Sequence, residues 1–285
     1  MELGQETNFD TTAWTEKKKA QRQEVYDKME QYLEILPMDE NRFRQYLTVA
    51  SRFYQSSVGN VALIADQKPE ATRYQTYENW NKENISIRKG EQGFSILVPN
   101  GNYQRSDGKT GTNFDIQKVF DISQTTAIIP APAMQDMRLN LKARMLRPAC
   151  PIQLSDQQKH AVYVVDQKRV LVGRNQDMEA TFRSLTMALA HAELAKSMED
   201  YLPGKPVNAF YARCVSYIMC SRYGVDVREY NFMDMPMILG NCNTKELRQH
   251  LSIIRTTAIT MIDRTEKARA DILAKEKTKQ DRDAR

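Results

Sequence analysis

"LTMALAHAEL", residues 185–194, lies inside a helical pattern over 177–199, and its reading decides the second half of the chain. A helix carrying His-Glu-x-x-His sets two imidazoles one turn apart on one face, with a glutamate beside them to activate a metal-bound water. Here the corresponding positions are Met187, Ala188 and His191. One imidazole of the pair is present, and the carboxylate is a methyl group. Three readings stay open: a metal helix, a metal helix emptied of its chemistry, and a buried helix with one packed histidine.

The chain has 285 residues, 41% hydrophobic and 27% charged, enough for two modest domains with ordinary globular composition. No window approaches the apolar run of a membrane helix. The opening "MELGQETNFDTTAW" lacks both a basic leader and an apolar core, so no secretory signal is expected, and the expected setting is cytoplasmic. Cys150, Cys214, Cys220 and Cys242 show no Cys-x-x-Cys pairing and read as reduced thiols. A net charge of +5 permits a nucleic-acid partner without requiring one. Arg138, Lys142, Arg144 and Arg147 form a basic stretch without an acid, whereas residues 1–40 are acidic on balance.

Apolar spacing predicts helices over 11–36, 39–55 and "VALIADQ", then over 177–199, 207–223 and 243–275, with Gly224 closing the middle one of the last three. Pro37 ends the first. From residue 85 the period changes. "ISIRKGEQGFSILVP" (85–99) is expected to be two strands around a turn at "RKGEQG"; a second hairpin has its tip at "SDGKTG" and a strand ending near Ile122. "IIPAPAMQD" (128–136) marks a boundary, and "HAVYVVDQKRVLVG" (160–173) is a two-stranded signal around Asp166-Gln167. The fold class is α+β, and the charged end reads as a solvated helix.

The strings "GNVALIADQKPEATRYQTYENW", "IRKGEQGFSIL" and "FDISQT", with Asn60, Gln67, Trp80 and Lys-Gly-Glu-x-Gly as landmarks, resemble the ArdC-type antirestriction proteins and the related N-terminal domain of plasmid TraC-type primases. "YVVDQKRVLV", "ALAHAEL", "VSYIMCSRYGVD", "REYNF" and "KELRQHLSIIRTTAITMID" resemble the zincin-like domain that follows in that family. The resemblance spans roughly 40–265. It implies an N-terminal helix (1–37), a single-stranded-DNA-binding domain (38–135), a basic linker (136–150), a mostly helical zincin-like domain with a small β-hairpin (151–265) and a charged tail (266–285). It also implies a setting on mobile DNA (plasmid, conjugative element or phage) and an antirestriction, DNA-protecting role.

The family's peptidase positions fall on Met187 (first ligand), Ala188 (general base), His191 (second ligand) and Arg213 (third ligand). A guanidinium repels a dication, so the resemblance implies a degenerate zincin fold without peptidase activity or cofactor. Glu193, Cys214, Cys220, His160 and His250 are the remaining donors, and none restores the two-histidine spacing. A rearranged zinc site is the alternative that keeps an enzyme.

Binding a single strand needs cations for phosphates and flat side chains for bases. Arg73, Tyr74, Tyr77, Trp80, Lys82, Arg88, Lys89 and Phe94 supply both, and the 89–93 turn offers backbone N–H groups to a phosphate. Trp80 and Phe94 equally suit a core, Arg88 and Lys89 equally suit a solvated turn, and Glu78, Glu83 and Glu91 dilute the charge. The competing function is a protein-binding module, engaging a partner through the pseudo-zincin domain or the charged tail. No membrane partner is expected.

Overall fold

The computed structural model describes residues 11–104, 106–128, 142–143, 145–173 and 177–283, with side chains over the described part of 16–275. Helix α1 (Thr11–Ile35) buries Val25, Met29, Tyr32 and Leu33, the three-to-four spacing of one apolar face. A 3-10 turn containing Pro37 follows. Asp39 then caps α2 (Glu40–Arg52), accepting from the N–H groups of Asn41 at 2.9 Å and Arg42 at 3.1 Å. Helix α3 (Val58–Gln67) is apolar on most sides and correspondingly enclosed. A Cβ at Gly59 would lie 2.5 Å from Met29 Sδ, so this glycine lets α1 settle onto α3.

The first sheet has the order β1-β3-β2, from β1 (Tyr74–Gln75), β2 (Phe94–Gln104) and β3 (Thr110–Asp121), with the short helix α4 (Tyr77–Lys82) between β1 and β2. β2 and β3 pair antiparallel from Phe94↔Val119 to Gln104↔Thr110, with a register shift between Pro99 and Asn102. The inner half of β2 is buried. Beyond Pro99 its residues are exposed, so the hairpin continues as an arm past the core.

The expected hairpin around "RKGEQG" does not form. Ile87 bridges to Thr125 instead, and Arg88 N–H donates to Gln124 O at 2.9 Å. The edge of β2 that residues 85–88 would have used is already occupied. Asn60 of α3 donates Nδ2 to Leu97 O and accepts from Leu97 N–H, both at 2.8 Å; Gln67 does the same with Ser95, both at 3.0 Å. Two amide side chains thus satisfy an edge that would otherwise need a strand.

The second sheet has the order β4-β6-β5. The expected pair, β5 (Val162–Val164) and β6 (Arg169–Gly173), is antiparallel; β4 (Ile152–Ser155) joins it in parallel and was not foreseen. Helix α5 (Met178–Ser197) begins at Asp177, which accepts from Ala180 N–H at 2.8 Å. Then come α6 (Pro206–Arg222), the short α7 (Met235–Leu239) and the long α8 (Thr244–Asp283). Gly224, at φ +64°, turns the chain after α6 as its sequence position suggested.

One buried cluster runs through both halves. Phe43 of α2 meets Phe210 of α6 at 5.6 Å and Phe232 at 5.3 Å between ring centroids. Thr48 and Tyr217 share a hydrogen bond at 2.9 Å. Most of the proline-marked boundary at 128–136 and much of the basic stretch at 138–147, Leu139 and Leu141 included, lie outside the described residues. Lys142, Met145 and Leu146, which are described, are buried.

Candidate nucleic-acid interface

The 73–94 segment is knitted mostly into itself. Arg73 lies over the Trp80 ring at 4.9 Å and pairs with both carboxylate oxygens of Glu83 at 2.8 Å. Gln75, with Arg73 behind it, holds the Glu83 carboxyl below its ordinary range. Trp80 is 0% exposed and its indole N–H donates to Phe120 O at 2.8 Å. Tyr74 is half-buried between Phe53 and Phe94, and Phe94 is buried. Arg88 pairs with Glu91 at 3.1 Å and donates to the carbonyls of Ser123 and Thr125. Tyr77, at 53% exposed, Lys82 and Lys89 do face outward. Of the eight residues, two are therefore core, one is half-buried, two are internally paired cations and three are open.

The neighbouring motifs are structural. Asp121, buried, accepts from the N–H groups of Thr72 at 2.7 Å, Arg73 at 3.0 Å and Ser123 at 2.9 Å. Gln124 reaches across to Glu91 Oε2 at 3.0 Å and Gln92 O at 2.8 Å. Gly90 takes φ +88°, and a Cβ on Gly93 would sit 2.7 Å from Val119 O. "KGEQG" and "FDISQT" lock together at the foot of the hairpin.

A different surface gathers an excess of cations. Between the N-terminal half of α1, α3 and the β2–β3 hairpin lies a ravine of about 900 Å³, lined by five cations (Lys18, Lys19, Arg22, Lys28 and Lys118) against two carboxylates, Glu24 and Asp115. Arg22 pairs with Asp115 at 2.6 Å and Lys28 with Glu24 at 2.8 Å. Leu63 and Ile116 are among its apolar lining. In sequence its cations are "KKKAQR", on the side of α1 away from the apolar stripe, and Lys118, about a hundred residues away, which spacing alone does not join to them.

In the second half, His191 on α5 is hydrogen-bonded through Nδ1 to Tyr201 Oη at 2.6 Å, and burial pushes its pKa down to about 4. Ala188 is buried, and Met187 packs against the core. Arg213 on α6 holds both oxygens of Asp234 at 2.5 Å and lies 5.6 Å from the ring centroids of Phe210 and Phe232. His250 pairs with Tyr211 at 2.5 Å, while the Cys214 thiol is buried and pushed well above its ordinary pKa.

Residues 16–126 match the family described as the N-terminal domain of anti-restriction factor ArdC. In that segment the chain resembles an ArdC N-terminal domain. Over 73% of the chain the fold is of the ArdC type. It is similar to the metal-free crystal structure of antirestriction ArdC protein from R388 plasmid, with TM-score 0.51 and 14% identity over 73% of this chain and 85% of that one. The Mn(II)-bound structure of the same protein gives TM-score 0.50 and 13% identity over 73% and 84%. No curated protein matches in sequence.

The Mn(II) of that ArdC structure raises the question of whether this chain could hold a metal. The donors do not fit. Among the described residues no group of three or more His, Cys, Asp or Glu is placed to take an ion. Of the positions singled out on α5 and α6, one is a thioether, one a methyl, one an imidazole bonded to Tyr201, and one a guanidinium bonded to Asp234. Among the described residues no helix is long and apolar enough to cross a membrane.

Proposed function

We propose that this chain is a single-stranded-DNA-binding protein of antirestriction type, carried on a mobile genetic element such as a plasmid, conjugative element or phage. Its α5–α6 region is a pseudo-zincin scaffold without peptidase chemistry. The observation that carries the DNA reading is the match of residues 16–126 to the ArdC N-terminal domain, on a chain of net charge +5 whose ArdC-like half holds an open cationic ravine. Arg213 paired to Asp234, together with Met187 and Ala188 in place of a ligand and a base, supports the non-enzymatic half of the reading.

Competition binding tests the first part: a labelled single strand should be displaced by unlabelled single strand and poorly by a duplex of the same sequence. Equal displacement by the duplex counts against it. Calorimetric titration with Zn(II) and Mn(II) tests the second part, with no stoichiometric uptake expected. Uptake that His191→Ala abolishes would restore the reading as an enzyme with rearranged ligands.

A protein-binding module is favoured by one observation. Met38, Met233 and Met237 are 66%, 75% and 74% exposed, on the 3-10 turn and on α7 and its lead-in. Exposed methionines suit adaptable protein contacts. That reading requires a protein partner lost on Met233→Ser/Met237→Ser, with single-strand affinity absent.

A further inference from the structure

We infer that a single DNA strand lies in the ravine between α1 and the β2–β3 hairpin, with the hairpin arm beside it, and not on the 73–94 surface. The inference rests on the single-strand reading above and adds its location.

Charge is the first ground. The ravine lining carries an excess of three cations over its carboxylates, and Glu24 is shared between Lys28, which pairs with it, and the charge of Lys118. On the 73–94 surface Arg73 and Arg88 are already neutralised by Glu83 and Glu91, which leaves Lys82 and Lys89 as the outward cations there. A strand gains most where its phosphates meet cations in excess over the carboxylates beside them.

Shape is the second. Lys18 and Lys28 stand ten residues apart on one helix, about 15 Å along its axis at 1.5 Å per residue. That gives the cationic rim room for a few successive phosphates. Below the rim, the partly buried Ile116 provides apolar surface against which an unstacked base can rest. The space, about 900 Å³, is bounded by a helix on one side and a sheet on the other.

The third is the arm. Asn100 lines the ravine where β2 leaves the core, and from there the hairpin projects with exposed residues. Tyr103 sits opposite Gly111 and its ring covers that glycine closely enough that a Cβ there would lie 2.5 Å from the ring. The ring is thus held from one side while the residue stays 44% exposed, the presentation that base stacking uses.

The test is binding of a fluorescent single strand to the full chain and to three variants: Lys19→Glu/Lys118→Glu, Lys19→Arg/Lys118→Arg and Lys82→Glu/Lys89→Glu. All four positions are exposed, and thermal melts establish that each variant is folded. The ravine charge reversal should weaken binding about tenfold or more and flatten the log K against log salt slope by about 1.4, or 0.7 per lost phosphate contact. The arginine pair should retain affinity, and Lys82→Glu/Lys89→Glu should change little. If Lys82→Glu/Lys89→Glu weakens binding and the ravine variant does not, the location is wrong while the single-strand reading stands. No binding by the unaltered chain at low salt removes the reading and the location with it.

Discussion

Arg213 and Asp234 form a two-toothed pair, one guanidinium nitrogen 2.5 Å from each carboxylate oxygen, on the α6 position that the ArdC resemblance assigns to a ligand glutamate. The pair is partly screened, at 26% and 36% side-chain exposure, which places it between a surface ion pair and a buried one. Asp234→Ala should therefore destabilise by about 1–2 kcal/mol, read by urea denaturation. The charge-swapped Arg213→Asp/Asp234→Arg should recover much of the loss shown by either single change. Additive losses would mean that the two side chains do not act together.

His191 makes stability depend on pH. Its folded pKa is about 4 against an ordinary 6.5, because burial disfavours the imidazolium. The unfolded chain thus binds the proton first. The contribution of the neutral ring is fully present above about pH 6.5 and is lost as pH falls toward 4, amounting to as much as about 3 kcal/mol at the bottom of that window. Many carboxylates also titrate there, so the useful comparison is with His191→Gln. The difference in stability between the two proteins should narrow or reverse between pH 7 and pH 4.5; a constant difference would place the ring in water.

The amides of Asn60 and Gln67 stand in for a strand. Asn60→Ala leaves the N–H and C=O of Leu97, a buried residue, without partners and should destabilise by about 1–3 kcal/mol. Gln67→Ala should do the same through Ser95, with losses close to additive. An opened β2 edge is also a site for pairing between copies, so light scattering of the double variant should rise with concentration. Wild-type melting temperatures for both single variants would mean that the edge needs no such cover.

Gly93 and Gly111 should respond differently to the same change. At Gly93 an added methyl meets the Val119 carbonyl at 2.7 Å, backbone that cannot yield, so Gly93→Ala should cost about 1–3 kcal/mol. At Gly111 the nearest atoms all belong to the Tyr103 side chain, which can swing away. Gly111→Ala should be near neutral for stability yet displace the ring, and single-strand affinity should fall with it. Calorimetric melts and binding titrations on the two variants separate these outcomes.

Local pattern carried much of the fold. The helices announced themselves through the spacing of Val25, Met29 and Leu33 or the turn at Gly224, and the arm through alternation on either side of "SDGKTG". The misses were non-local. β4 is set by a parallel partner some twenty residues on, and "RKGEQG" has hairpin composition but no vacant edge to pair with, because residues in α3 fill it. The surroundings of the site residues are non-local in the same way. Arg73 and Glu83 look like solvated charges until the chain brings them over Trp80, and Lys19 and Lys118 look unrelated until the fold sets α1 across the hairpin. On α5 and α6, residue identity alone puts a thioether at 187, a methyl at 188 and a guanidinium at 213.

The measurement that bears most directly on the single-strand account is fluorescence anisotropy of the full chain with a labelled strand of about 20 nucleotides, longer than the roughly 4–16 that one compact binding fold occupies, at about 50 and 200 mM salt. Binding that is clear at the lower salt, falls steeply at the higher and resists duplex competitor is the expected result. Absence of binding at the lower salt, or affinity indifferent to salt, contradicts it.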